Sequence, residues 1–536
     1  MTAATTPQVP SLWAPLRVKA FRAMWFAQLG SMLGTWMQTV GAQWVLVQTP
    51  DSTALVALVQ VAATVPMLLL ALPAGALADI MDRRRLLIGV QLFQLVVGSA
   101  LSALTALDLM PPALLLTFTF LLGSCLALTL PAYQASVQDL VPREQVRMVA
   151  TLGGVAVNGA RAVGPALAGL LLAQVGASVV FAVTAVAALV FVMVLVSTRQ
   201  STAAATLPPE RFASALRAGG RYVRNSPVVR RMLLRVFLFV LPGAVIWALL
   251  PVVADQLLQS GSTGFGLLLG SLGFGAVLGA AVLPRVAARL SANQVLVLSA
   301  VLFAGSLVAC VTVPSLPVLV VLLVPAGAAW LFVLMGITGA LQVFLPGWVR
   351  ARGLSTFNVV FAGSQAAGSL VWGLTAQWTG LVPTFIAAAV VMLAGAATVR
   401  IRPLPDVGHW NRAAVEYWPE PALTYEPDPR EGPVLVTVRY VVAPEREAEF
   451  RAAMESVRLS RLRTGATSCA LYRDGADPSV FLLVQLYPTW EEHLRQHTDR
   501  LTATDQEREE RANALAVEEP TGTHYFPADP HHHPDR

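Results

Sequence analysis

Apolar residues gather along the chain in twelve runs, near 21–47, 54–79, 86–107, 113–138, 146–173, 177–198, 229–254, 264–284, 293–313, 316–344, 353–378 and 381–399. Each run offers the ~20 residues that a bilayer-crossing helix needs, so twelve spanning helices are predicted. The first ten residues lack the basic start, short apolar stretch and small-residue cleavage site of a cleaved leader, so the first run is expected to stay as an anchor. Beyond about residue 400 the pattern changes. A Pro-rich stretch, 403–433, precedes a strand-like run Val434–Val442, a helix Pro444–Arg463, strands Thr467–Arg473 and Val480–Tyr487, a helix Trp490–Leu515 and a last strand His524–Pro527. The fold class expected is an α-helical polytopic membrane protein with a small C-terminal α+β domain of βαββαβ order.

Charge sharpens that division. Of 536 residues 55% are hydrophobic and only 13% charged, which excludes an ordinary soluble enzyme. Up to residue 400 there are 22 Lys and Arg against 8 Asp and Glu; beyond it there are 15 against 23, so a net +14 meets a net −8. The cations follow the connections between alternate runs: Arg17, Lys19 and Arg22, then Arg83 to Arg85, Arg143 and Arg147, six arginines from Arg211 to Arg231, Arg285 and Arg289, Arg350 and Arg352, Arg400 and Arg402. The other connections carry Asp51, Asp108 and Asp255 without a cation. Short cationic loops stay in the cytoplasm, so an inner-membrane protein with both termini cytoplasmic is predicted. Basicity here reports topology; nucleic acid is not an expected partner, since the soluble portion is acidic.

The second half repeats the first at an offset of 204, which pairs Gly75 with Gly279, Arg85 with Arg289, Pro142 with Pro346, Gly164 with Gly368, Gly169 with Gly373 and Gly176 with Gly380. Two six-helix halves related by an axis along the membrane normal are predicted, with a substrate path between them. The expected divisions are a six-helix bundle at 1–198, a cytoplasmic linker at 199–228 whose spaced arginines suggest an amphipathic surface stretch, a second bundle at 229–402, the Pro-rich linker at 403–433, the α+β domain at 434–528 and a disordered tail at 529–536.

After the second span the chain reads Gly75-Ala-Leu-Ala-Asp79-Ile-Met-Asp82-Arg83-Arg84-Arg85, and in the fifth Asn158-Gly-Ala-Arg161-Ala-Val-Gly164-Pro165-Ala-Leu-Ala-Gly169. The first resembles the cytoplasmic loop signature of the major facilitator superfamily, with Asp82 where a second Gly is usual. The second resembles the Gly-Pro motif of that superfamily's exporters. The stretches Pro131–Pro142 and Pro346–Gly353, with Gly368-Ser-Leu-Val-Trp-Gly373, narrow the resemblance to the transmembrane secretion effector branch, which includes enterobactin exporters. The resemblance implies a secondary active exporter of small amphiphilic molecules, working by alternating access, with protons as coupling ion. It also implies a gating role for Gly75, Asp79, Arg83, Arg84, Arg85, Gly164, Pro165 and Gly169.

Residue chemistry nominates a cavity. Trp36, Gln38, Gln43 and Trp44 in the first span, Tyr133 and Gln134 in the fourth, Asn158 and Arg161 in the fifth, Trp247 in the seventh, Gln342 in the tenth, and Asn358 and Gln365 in the eleventh would make an apolar pocket with a few hydrogen-bonding groups. Arg161 stands out, because a mid-helix cation costs roughly 2.5–3.5 kcal/mol on insertion scales and faces a cavity or a partner. It would favour an amphiphile bearing an anionic or phenolate group. None of the eight acids before residue 401 falls mid-span, so no buried carboxylate is available to exchange a proton. The glycines from Gly264 to Gly279 are expected to pack within the molecule rather than form a dimer face.

No cofactor, catalytic residue or metal site is expected. Lys19 is the single lysine and no Gly-Lys pair exists, which excludes a Walker A motif. Cys125, Cys310 and Cys469 lie far apart, with neither disulfide nor metal-ligand spacing. The C-terminal domain resembles the antibiotic-biosynthesis-monooxygenase type of ferredoxin-like barrel, which suggests homodimerisation or regulation. Trp490, His493 and His497 share a helix face that a catalytic role would turn toward haem or a polycyclic substrate; a packing Trp with two solvated histidines is the expected arrangement. His531, His532 and His533 are read as a disordered tail with incidental metal affinity. A membrane-anchored enzyme or sensor working through this domain, and an importer of the same fold, are the alternatives.

Overall fold

The structure, a computed structural model, describes residues 13–50, 53–198, 219–406, 415, 423–425 and 427–528. The expected amphipathic stretch up to 218, much of the Pro-rich linker and the terminal histidines lie outside these residues. Packing divides the chain into two units: residues 1–209, 234–336 and 357–403 form one, and residues 210–233, 337–356 and 404–536 the other.

Among the described residues there are twelve long helices: α1 Lys19–Val47, α2 Thr53–Ile80, α3 Arg83–Ala106, α4 Pro112–Gln138, α5 Val146–Val175, α6 Ala177–Ser197, α7 Pro227–Val252, α8 Gly261–Ala287, α9 Ala292–Thr312, α10 Leu316–Phe344, α11 Gly347–Thr379 and α12 Leu381–Ala397. Among the described residues, eleven of them are long and apolar enough to cross a membrane. The remaining one, α1, has the length, 29 residues, but buries Gln28, Ser31, Gln38, Thr39 and Gln43 among its neighbours. Its polar side chains face protein rather than lipid, which lowers its hydropathy without exposing polar groups to hydrocarbon. Local chemistry sets the helix ends. Asp82 caps α3 by accepting from the Arg85 backbone N–H at 2.8 Å, and Ser291 with Gln294 closes a capping box at the start of α9.

The internal repeat has a conformational counterpart. Gly176 joins α5 to α6 at φ 85°, ψ 175°, and Gly380, its repeat mate, joins α11 to α12 at φ 87°, ψ 172°. That positive φ disfavours any side chain, so both halves use glycine for the same corner. Gly164 lets α5 close on α1, where a Cβ would stand 2.8 Å from that of Trp36; its mate Gly368 lets α11 close on α7, 2.7 Å from the Ala244 Cβ.

In the second unit β1 Val434–Val441, α13 Glu447–Thr464, β2 Ser468–Arg473, β3 Val480–Tyr487, α14 Trp490–Arg495, α15 Ala503–Asn513 and β4 Thr521–Tyr525 follow in order. The antiparallel sheet has the order β2-β3-β1-β4, with Val434 opposite Tyr487, Cys469 opposite Gln485 and Val436 opposite His524. This is the ferredoxin-like arrangement. Tyr440, Phe450, Met454, Phe481 and Leu483 fill its core, and α13 is tied to α15 by the buried pairs Arg461–Glu509 (2.5 Å) and Arg463–Asp505 (2.7 Å).

Two details differ from expectation. The helix read as continuous over Trp490–Leu515 is broken: α14 ends in a π turn, Gln496–Arg500, and Leu501 and Thr502 are extended before α15 begins. The helix restarts at Thr502, whose carbonyl accepts from the Asp505 and Gln506 backbone N–H groups, while Leu501 beside it is buried in the core. The last strand lies three residues earlier than predicted, at its start, because it follows the register of β1.

Candidate functional site

Five of the first unit's helices meet along a seam between its halves. Gln43 of α1 donates to the Trp247 carbonyl of α7 at 2.8 Å, and the two positions are 204 apart, which is the repeat offset. Repeat-equivalent positions that touch must lie at the pseudo-twofold axis, so this bond marks the axis. Around it runs a chain of rings: Trp36 lies 6.0 Å from Trp247, Trp247 5.6 Å from Trp330 of α10, and Trp330 6.2 Å from Phe361 of α11. The Arg161 guanidinium stands over Trp36, 5.7 Å from the ring centre. Its Nε is buried without a hydrogen-bond partner, as are the Trp247 indole nitrogen and Oε1 of Gln365, one turn along α11 from Phe361. Unmatched donors and acceptors beside aromatic faces are what a ligand with both characters would complete.

Other nominated residues are engaged elsewhere. Gln38 donates to Thr119 at 3.0 Å within the first half, Trp44 stacks on Phe265 at 6.3 Å, and Tyr133 packs edge-on to Phe191 in that half's core. Asn158 is half-buried and bonds back to the Gly154 carbonyl; Gln134 and Asn358 are exposed. Gln342 is exposed and belongs to the second unit. The structure therefore gathers Trp36, Gln43, Arg161, Trp247 and Gln365, and leaves the other nominees outside the ring. Trp330 and Phe361 escaped the sequence reading; their signal was an aromatic within a run of small and branched aliphatic residues.

The seam is tight at one end. A Cβ on Gly169 of α5 would stand 2.5 Å from the Ser262 carbonyl of α8, and one on Gly266 2.7 Å from the carbonyl of Pro165. Gly273 abuts Ala162 in the same helix pair, and Gly373 of α11 abuts Ala57 of α2. Gly275 and Gly279 instead take α10, at Val324 and Ala328, so the α8 glycines pack within the molecule. Toward the opposite, arginine-rich end of α5, positions 153, 154 and 159 have no atom within 4 Å of where a Cβ would stand.

Gly75 and Asp79 fall in the last turns of α2. The arginines beyond them bind within their own half. Arg83 pairs with Asp139 at the end of α4 (3.0 Å), and Arg84 donates to the Leu195 and Val196 carbonyls that end α6, both at 2.8 Å. An unpredicted counterpart serves the second half: buried Arg235 of α7 donates to the Gly395 and Arg402 carbonyls and to the Thr398 hydroxyl at the end of α12. Each half thus uses an arginine to satisfy the free carbonyls and negative dipole end of its last helix.

A family profile described as transmembrane secretion effector matches residues 10–526, helices and sheet domain alike. The chain belongs to the transmembrane secretion effector family of the major facilitator superfamily. A staphyloferrin A transporter of Staphylococcus aureus (strain NCTC 8325 / PS 47) is 25% identical over 280 residues, 52% of this chain and 70% of that protein. Among solved structures, a bacterial homologue of the human lysosomal transporter Spinster, inward-facing and occupied, superposes at TM-score 0.59 with 14% identity over 72% of this chain and 97% of its own. A D-xylose–proton symporter does so at 0.58, with 14% identity over 72% and 98%. Family and fold are those of a multi-pass membrane transporter rather than an enzyme.

The secretion effector's second unit carries its own concentration of chemistry. Glu492 of α14 accepts from Arg500 at 2.6 Å and pairs with Arg221 at 3.3 Å; Arg500 covers the Trp348 ring at 4.8 Å, and Tyr222 meets that ring edge-on. Burial alone would raise the Glu492 carboxyl, but the Arg500 hydrogen bond and the charges of Arg500, Arg221 and Arg495 hold it below the usual range. His493, expected in solvent, is 3% exposed. The π turn carries it inward against Tyr487 and Trp490, with ring centres 4.6 and 5.3 Å apart. Burial, then the neighbouring His497 and His524, push its pKa down to about 2. Cys469 is buried in the sheet core, and burial pushes its thiol up to about 11, which leaves it unreactive.

Proposed function

We propose that this secretion effector exports small amphiphilic anions, of the siderophore or drug type, from the cytoplasm by alternating access. The observation that carries the reading is Arg161, a mid-helix cation whose Nε has no partner and which lies over Trp36 beside the axis bond of Gln43. A cation kept in the membrane without a carboxylate is retained for an anion that visits it. Trp36, Trp247, Trp330 and Phe361 supply apolar faces for the rest of the cargo, and the Trp247 N–H and Gln365 Oε1 supply orienting hydrogen bonds. Similarity to the staphyloferrin A transporter supports a siderophore as one cargo class. The exporter-like Gly164-Pro165-Gly169 segment supports the outward direction, and the cationic connections support cytoplasmic termini.

Transport would proceed by loosening the α5–α8 and α2–α11 contacts at the tight end while the other end closes, with Arg83, Arg84 and Arg235 keeping each half rigid. The test is accumulation of labelled catecholates and amphiphilic drugs in efflux-deficient cells. Wild type is expected to lower accumulation of anionic members of the panel, and Arg161→Ala to abolish that effect. A protonophore arm reads the coupling: loss of export on collapse of the proton gradient supports antiport. Anion export left intact in Arg161→Ala would overturn the site assignment.

A further inference from the structure

His493, His497 and His524 bring three imidazole nitrogens within 4.8 Å of one another from a helix end and a strand. His493 stands on α14 and His497 in the π turn that ends it, and their Nε2 atoms are 3.2 Å apart. His524 reaches in from edge strand β4, opposite Val436 of β1, and its Nε2 lies 2.9 Å from that of His493. All three ligand atoms lie within 4.8 Å of one another. Hydrogen bonding cannot satisfy this arrangement. An imidazole nitrogen offers one in-plane lone pair or one proton, so Nε2 of His493 completes a bond with one neighbour and leaves a lone pair or a proton facing the other. A single cation at the centre accepts all three lone pairs.

We propose that these three histidines form a binding site for a divalent cation of the zinc class, with solvent completing the coordination. The donor set selects the ion: three neutral imidazoles without a thiolate or carboxylate suit Zn2+, Co2+ or Ni2+ and suit Ca2+ or Mg2+ poorly. Tetrahedral bonds of about 2.0–2.1 Å set ligand nitrogens roughly 3.3–3.4 Å apart. The observed 2.9 and 3.2 Å then call for a parting of a few tenths of an ångström, and the third pair, His497 with His524, which lies within 4.8 Å, has to settle to the same separation. The rings are already oriented. Trp490 lies against His493 and edge-on to His524, and Tyr487, which also touches His493, is itself fixed by Gln485 and Gln496. A π turn at this point is also where such turns occur in other proteins, at functional sites. His497 and His524 are partly exposed, so the fourth coordination position opens outward. Nδ1 of His493 is buried without a hydrogen-bond partner, and such outer-shell support is worth about 10–100-fold in affinity elsewhere, so the site binds an exchangeable ion. Occupied, it staples edge strand β4 to the segment that bears Glu492 and Arg500.

The test uses the full chain in detergent, stripped with chelator, in a background carrying His531→Ala, His532→Ala and His533→Ala so that the terminal histidines do not contribute. Co2+ titration is expected to develop visible d–d absorption saturating at one equivalent, displaced by Zn2+. His497→Ala and His524→Ala, both on partly exposed residues, are each expected to weaken binding by at least about ten-fold while circular dichroism stays unchanged. Zn2+ is expected to raise the thermal midpoint of the background protein and leave that of His524→Ala where it was. The proposal is overturned if the background protein develops no saturable absorption, a result that needs no variant to fold. It is equally overturned if His524→Ala, still folded, binds Co2+ as the background does.

Discussion

Arg161 is the residue at which energetics and the proposed binding role are most directly opposed. Its guanidinium lies over Trp36, its buried Nε has no partner, and the cation–π contact returns only about 0.5–2 kcal/mol of what burial removes. A residue kept for binding should therefore be dispensable for folding. Arg161→Met is expected to leave the thermal midpoint in detergent equal or higher while transport of anions is lost. A midpoint lowered by the substitution would instead make Arg161 a structural post. Arg161 was legible in the sequence because a lone cation inside an apolar run is conspicuous. Trp330 and Phe361 were not, since one aromatic in a membrane helix serves lipid, core and cavity equally well until its neighbours are known. His524 was hidden for a similar reason: it lies 27 positions beyond His497, and only the pairing of β4 with β1 brings them together.

At the scale of elements, small residues decide which helices meet. The α5–α8 contact places the Gly266 backbone against Pro165 and Gly169, so a larger side chain there must force the two helices apart at the tight end of the seam. Gly266→Leu is expected to destabilise the detergent-purified protein by about 1–3 kcal/mol, the usual range for overpacking, and to abolish transport. Gly153→Ala, in the same helix as Gly169 but with no atom within 4 Å of the new methyl, is expected to keep transport and to gain up to about 1 kcal/mol from helix propensity. Equal effects from the two substitutions, measured by thermal unfolding and export, would remove the distinction between a packed and an open end. The glycine pattern in α5 and α8 was readable in advance, but its partner was not. The break after α14 left one sign in the sequence, Thr502 followed three residues later by Asp505 as at a helix start, set inside a run whose composition otherwise favours one long helix.

For the whole molecule, the arginine pattern makes a claim about topology that labelling can check. Single cysteines at Thr6 and Asp529, in a chain whose Cys125, Cys310 and Cys469 are replaced by serine or alanine, are expected to resist an impermeant maleimide in intact cells and to react after the inner membrane is opened. A cysteine at Asp108, in a connection without cations, is expected to react in the intact case once the outer barrier is permeabilised. The reverse pattern would invert the protein and with it the direction of Arg161's access. Much of the architecture followed from sequence alone. The bilayer imposes a local rule, a run of about 20 apolar residues per crossing, and duplication writes the second half in the same order as the first, so span count, the equivalence of Gly176 and Gly380 and the C-terminal βαββαβ domain could all be read along one dimension. Convergence could not. That Gln43 meets Trp247 on the axis, that Arg235 closes the end of α12, and that His493, His497 and His524 share a point are facts about residues up to 204 positions apart. Periodicity says which face of a helix is buried; only the assembled fold says what lies opposite it.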